Sequence, residues 1–133
     1  MSDHITSPHN RLSVEELNER RRAARRYRAE WLLALRAGAV DLSDVLRQSK
    51  TDEGSPLAAL GLRDILNTAP GGTPAKANKT IQRTLDGVGV EMRPSAVKVR
   101  WLTDRRASVR RLTSLADAMT RDSRKAPSAT WPW

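Results

Sequence analysis

The side chains that carry most enzyme chemistry are scarce in this chain. It has two histidines, His4 and His9, and no cysteine. Two histidines five residues apart in a polar stretch, with no further ligand type beside them, make a poor metal site, and without thiolates there is neither a zinc cluster nor a disulfide framework. No G-x-S-x-G elbow, H-E-x-x-H helix or complete Walker loop occurs, and no pair of glutamates marks a cleft. These residues predict a binding protein and not an enzyme, with no metal, no cofactor and no small-molecule substrate.

The chemistry that is present is cationic. Lysine and arginine number 24 against 15 aspartates and glutamates, a formal net charge of +9 with a pI near 11.2, which favours a polyanion and above all nucleic acid. The excess is divided between the two ends. Eight arginines face four glutamates between Arg11 and Arg36, and ten basic residues face three aspartates between Arg93 and Lys125. The run "RRRAARRYR", with Arg21, Arg25, Arg26 and Arg28, contains no glutamate, and of these four only Arg26 has one at i+4, Glu30, so the arginines repel one another until a polyanion relieves them. In "VKVRWLTDRR", Lys98, Arg100, Arg105 and Arg106 precede a helix start, where backbone N–H groups face outward.

A third feature lies between them, "APGGTPAKANKTI". Gly71 and Gly72 carry no Cβ, so the backbone there can bring its N–H groups close to another surface. Thr73 suits an N-cap and Pro74 the first helical position, and Lys76 and Lys79 add positive charge near a helix start, where anions are favoured. The same residues also fit an ordinary glycine joint between two packed helices. A basic helical run can likewise be only a solvated face.

The elements that must hold these groups follow from spacing. With 133 residues the chain suits one domain with a modest core. Residues 1–12 read as a disordered arm and residues 13–38 as a long basic helix, opened by a capping box from Ser13 to Glu16 and stopped by Gly38. Leu17, Ala24, Tyr27, Trp31 and Leu35 form its apolar stripe, and at 1.5 Å per residue it is roughly 35 Å long. "WLLAL" anchors its second half; the first half is too charged to pack and is expected to project. A short helix is expected after Asp41 or Ser43 as far as Gln48, then "LAALGLRDILNTA" as a buried helical segment, then a helix from Thr73 or Pro74 to about Leu85. "GVEMRPSAVKVRWL" reads as extended or loop-like. The last helix is expected from Thr103 or Asp104 to about Met119, with Val109, Leu112, Leu115, Ala116 and Met119 inward. Residues 121–133 read as a disordered tail ending in Trp131 and Trp133. No secretory leader pattern opens the chain and no apolar run approaches the roughly 18 residues of a membrane span, so a cytoplasmic protein is expected.

The order of "AARRYRAEWLLALRAG", "VDLSDVLRQSKTDE", "LGLRDILNTAPGGTPAKANKTI" and "VKVRWLTDRR" resembles the actinobacterial integration host factor family over roughly residues 20–118. That resemblance implies an all-α fold: a long N-terminal helix on a compact helix–two-turn–helix domain over residues 39–120, similar to a ribosomal small-subunit head protein. It implies a nucleoid protein that grips duplex DNA by its phosphates and bends or bridges it in chromosome organisation or recombination. Residue by residue, Gly72, Lys76 and Lys79 would meet phosphates, Lys98 and Arg100 would match basic positions before the last helix, and Arg25, Arg26 and Arg28 would line the long helix. The chain departs from the family at Val97, Trp101 and Thr103, and its tails are unlike the family's, which suggests a divergent or phage-borne member. The alternatives are an RNA- or ribosome-associated protein and an adaptor whose long helix, Trp131 and Trp133 bind a protein partner.

Overall fold

Ser13 and Glu16 begin the first helix by satisfying each other's free donors. The Glu16 amide donates to Ser13 Oγ at 3.0 Å and the Ser13 amide to Glu16 Oε1 at 2.9 Å, the reciprocal pair of a capping box. In this computed structural model, which describes residues 13–128 and side chains as far as Arg121, helix α1 runs Val14–Arg36. Residues 1–12 and 129–133, and with them His4, His9, Trp131 and Trp133, lie outside the described residues.

The fold is all-α. Helix α2 is Leu42–Ser49, α3 Leu62–Thr68, α4 Pro74–Val88, α5 Val99–Leu102 and α6 Ser108–Ser128, with short 3₁₀ turns at Ser55–Ala59 and Pro94–Ala96. Asp41 and Asp44 repeat the capping box at the start of α2, the Asp44 amide donating to Asp41 Oδ1 at 3.0 Å. No strand occurs among the described residues; a lone antiparallel bridge joins Gly61 to Lys98, built from Leu62 N–H to Val97 O and Val99 N–H to Leu60 O, each 2.9 Å. No helix is long and apolar enough to cross a membrane among the described residues.

The core is continuous but has two centres. Leu35, Val45, Leu57, Leu60, Ile65 and Val99 form one, under Tyr27, Trp31 and Leu32 of α1. Leu62, Ile81, Leu85, Val97, Leu102 and Leu115 form the other, and Leu42 and Leu46 of α2 touch both. Helix α4 meets α6 through small residues as well as Ile81 and Leu85: Ala77, Thr80 and Thr84 are buried on α4, Ser114 Oγ donates to the Thr84 carbonyl at 2.9 Å, and a Cβ on Gly87 would strike Ser114.

Several expectations need correction, among them that "GVEMRPSAVKVRWL" is extended or loop-like throughout: a 3₁₀ turn occupies Pro94–Ala96 and the stretch ends in α5. "LAALGLRDILNTA" is not one helix: the chain is extended through Leu60 and Gly61, where the bridge to Lys98 takes the Leu62 N–H donor and the Leu60 carbonyl acceptor that a continuous helix would use. Helix α4 continues through Asp86 and Gly87 to Val88, because the α6 neighbour packs against that turn. The last helix begins at Ser108, not Thr103, since Trp101 and Leu102 belong to α5 and residues 103–107 form a turn. It extends to Ser128 instead of ending near Met119, so residues 121–128 are helical backbone. With the start moved, Val109 is 77% exposed and Met119 and Ala116 face solvent, while Leu112, Leu115 and Ala118 turn inward.

Candidate nucleic-acid interface

Helix α1 separates into an anchored half and a free half. Every residue from Ser13 to Ala23 is exposed, Val14 by 73% and Leu17 by 39%, and the first half-buried position is Ala24. Eleven residues at 1.5 Å each give a free arm roughly 16 Å long. The arginines of α1 from this arm onward occupy different sides. Arg21, Arg25 and Arg28 recur at i, i+4 and i+7 and share one stripe. Arg26 lies about 100° round from Arg25. It meets Glu19 Oε2 at 3.6 Å, and Arg22 meets Glu19 Oε1 at 3.5 Å, so one carboxylate serves two guanidinium groups on that side. Arg21 and Arg25 have no hydrogen bond or ion pair among the described residues. Arg28 differs from both: it is half-buried, and its Nη1 donates to the Pro56 carbonyl at 3.4 Å.

That contact joins two basic segments far apart in sequence. The Ser55–Ala59 turn that receives Arg28 also receives Arg100, whose Nε donates to the Ala58 carbonyl at 3.4 Å. Arg28 and Arg100 thus reach carbonyls two residues apart, and the stripe on α1 runs outward from the place where α5 begins. Lys98 caps α5 with its backbone and keeps its Nζ without a partner among the described residues. Arg105 and Arg106 follow on an exposed turn, fixed by the Arg106 amide on Asp104 Oδ1 at 3.1 Å. The turn is fixed from the inside by Arg111, which donates from Nη1 to the Trp101 carbonyl at 2.7 Å, lies 3.8 Å from Asp104 and stacks 4.3 Å from the Trp101 ring centre.

The glycine turn occupies a different corner. Pro70 lies beside Gly38, at the other end of α1, and from Arg28 to Gly38 the helix advances roughly 15 Å. Within the turn the two glycines have unlike roles. Gly71 has φ of +80° and open space where a Cβ would stand. Gly72 instead closes against its own chain: its N–H donates to the Ala69 carbonyl at 2.9 Å, and a Cβ there would strike the Leu66 carbonyl oxygen. The expectation that Gly72 lends its backbone to a phosphate is therefore corrected, since both its donor and its missing side chain serve the α3–α4 joint. Thr73 Oγ1 accepts the Lys76 amide at 3.1 Å, and Lys76 Nζ leans back toward the Gly71 carbonyl at 3.5 Å. The N–H groups of Gly71, Thr73 and Ala75 are left without acceptors among the described residues, beside the exposed side chains of Lys76 and Lys79.

Two carboxyls respond to the local fields. Glu16 is held below the ordinary glutamate range, first by the Ser13 backbone N–H, then by the Ser13 hydroxyl, and less by Arg20. Asp44 is lowered in the same way by the Asp41 backbone N–H, with help from the Asp41 side chain and Arg47. Both are helix-capping groups and neither lies in the basic surface. No cluster of three histidine, cysteine, aspartate or glutamate side chains able to hold a metal occurs among the described residues.

Sequence reasoning missed Thr73 and Ala75 as donors, the Ser55–Ala59 turn as the meeting place, and Arg111 as the residue that shapes the Trp101 turn. An arginine ten residues after a tryptophan carries no local signal, because the pairing depends on where α6 starts. No protein-family model, no curated protein and no solved structure matches this chain.

Proposed function

We propose that this chain binds duplex DNA through its phosphates with little preference for sequence, as an architectural, integration host factor-like nucleoid protein. The observation that carries the reading is the convergence of Arg28 and Arg100 on one 3₁₀ turn. It makes the α1 stripe and the α5 segment a single cationic surface in which Arg21, Arg25 and Lys98 have no carboxylate partner. An uncompensated surface of this kind attracts a polyanion. Its flexible side chains suit phosphate oxygens, which give affinity without reading bases.

The α3–α4 corner supplies a second contact in this reading, with the helix–two-turn–helix arrangement spanning α3, the glycine turn and α4. Three free N–H groups, Lys76 and Lys79 are suited to one or two phosphates. Two contacts separated by roughly 15 Å along α1 suit a duplex held across a groove, or bent between them. Mobility-shift titrations with duplex DNA, duplex RNA and single strands of equal length, at several salt concentrations, test the proposal. It predicts preference for duplex DNA, unrelated sequences bound alike, and a steep loss with salt. Preference for duplex RNA would favour the ribosome-associated alternative, and no binding to any polymer would refute the reading.

A further inference from the structure

Beside the proposed phosphate surface lies a cleft of ≈ 450 Å³ whose lining is unlike a phosphate site. Met92 and Ala96 give it an apolar side, Trp101 and Arg111 a flat one, Lys98 and Arg100 stand at it with their charges, and the Asp104 carboxylate, beside Arg111, completes the lining. The flat side is rigid. Arg111 stacks 4.3 Å from the centre of the Trp101 ring while its Nη1 is tied to the Trp101 carbonyl at 2.7 Å and Asp104 lies 3.8 Å away. Both residues are half-buried, and Trp101 packs against the core through the Leu62–Leu115 cluster.

From this arrangement we infer that the cleft receives one unpaired nucleobase, seated against the Trp101–Arg111 pair with its phosphate on Lys98. Indole rings and guanidinium planes are the two protein surfaces on which unstacked bases rest. A pair already locked in place loses little freedom when a base arrives, so the stacking is not offset by ordering. Simple phosphate binding needs neither Met92 nor Trp101, and a purely structural Trp101 does not need two cations beside an open cleft. The inference takes its source of the base from the proposed DNA-binding role: a bulged, frayed or flipped nucleotide in a duplex lying on the α1–α5 surface.

The cleft is tested on its own with adenosine 5′-monophosphate. In full-length protein carrying Trp31→Phe, Trp131→Phe and Trp133→Phe, Trp101 is the sole tryptophan, and red-edge excitation reads it apart from Tyr27. Adenosine 5′-monophosphate should quench it saturably in the millimolar range, ribose 5-phosphate should not quench it, and Lys98→Gln should weaken the nucleotide several-fold. If that variant does not fold, the indole N–H resonance of Trp101 in the wild-type chain, assigned by Trp101→Phe, gives the same readout. In the second arm, a duplex with one bulged base should bind the wild-type protein several-fold more tightly than the perfect duplex. Trp101→Leu, with its melting temperature checked, should abolish that difference and keep binding to the perfect duplex. No saturable response of Trp101 to the nucleotide, or the same response to ribose 5-phosphate, would overturn the inference whatever the duplexes do. A response to the nucleotide with no binding of any duplex would support the cleft and refute the DNA-binding role.

Discussion

A methyl group added at Gly72 would run into the Leu66 carbonyl, whereas one added at Gly71 would meet nothing. The two substitutions should therefore differ. Gly72→Ala is expected to destabilise the fold by about 3 kcal/mol through collision in the α3–α4 joint. Gly71→Ala pays only for a left-handed conformation, roughly 1–2 kcal/mol. Urea unfolding of the two variants checks this, and equal losses would show that the collision is relieved by a shift of the turn. The Gly-Gly pair was legible as a turn from its flanking prolines. Which glycine faced inward was not, because that depends on how the last carbonyls of α3 are aimed. At the same scale, the lowered Glu16 carboxyl gives a pH signature. Its folded-state value lies below that of the unfolded chain, so its share of stability is full above the unfolded value and is lost as pH falls through the folded one. The Ser13 amide resonance should follow that titration with a midpoint below the ordinary glutamate range; a midpoint within that range would mean the capping box is open in solution.

For the elements, α1 was legible almost to the residue, because a capping box, a 3–4 spacing and a glycine stop all lie within it. The segments around Gly61 and Trp101 were not. Their backbones are settled by each other through the Gly61–Lys98 bridge, a contact between positions 37 apart that no local pattern announces. The free and anchored halves of α1 make separate predictions. Leu35→Ala removes a fully buried side chain and should cost about 2–5 kcal/mol. Arg28→Gln, which loses a long bond to Pro56, should cost about 1 kcal/mol at most. Arg21→Gln and Arg25→Gln together should leave the melting temperature within a degree or so, as exposed side chains without partners usually do. A large drop in that double variant, seen by thermal unfolding, would mean that the projecting half packs against something in the folded protein.

At the level of the whole molecule, the two basic ends of the sequence form one surface because a five-residue 3₁₀ turn holds both Arg28 and Arg100. In the proposed reading the composition points to a polyanion, and the fold supplies the surface that would meet it. The central claim is that this surface neutralises phosphates, and the salt dependence of duplex binding tests it most directly. With Arg21, Arg25, Lys98, Arg100, Lys76 and Lys79 each covering one phosphate, log K against log salt should fall with a slope of about −5. The Arg21→Gln, Arg25→Gln double variant should bind the same duplex more weakly with a slope shallower by about 2, at an unchanged melting temperature. A double variant with the wild-type affinity and slope would contradict the account.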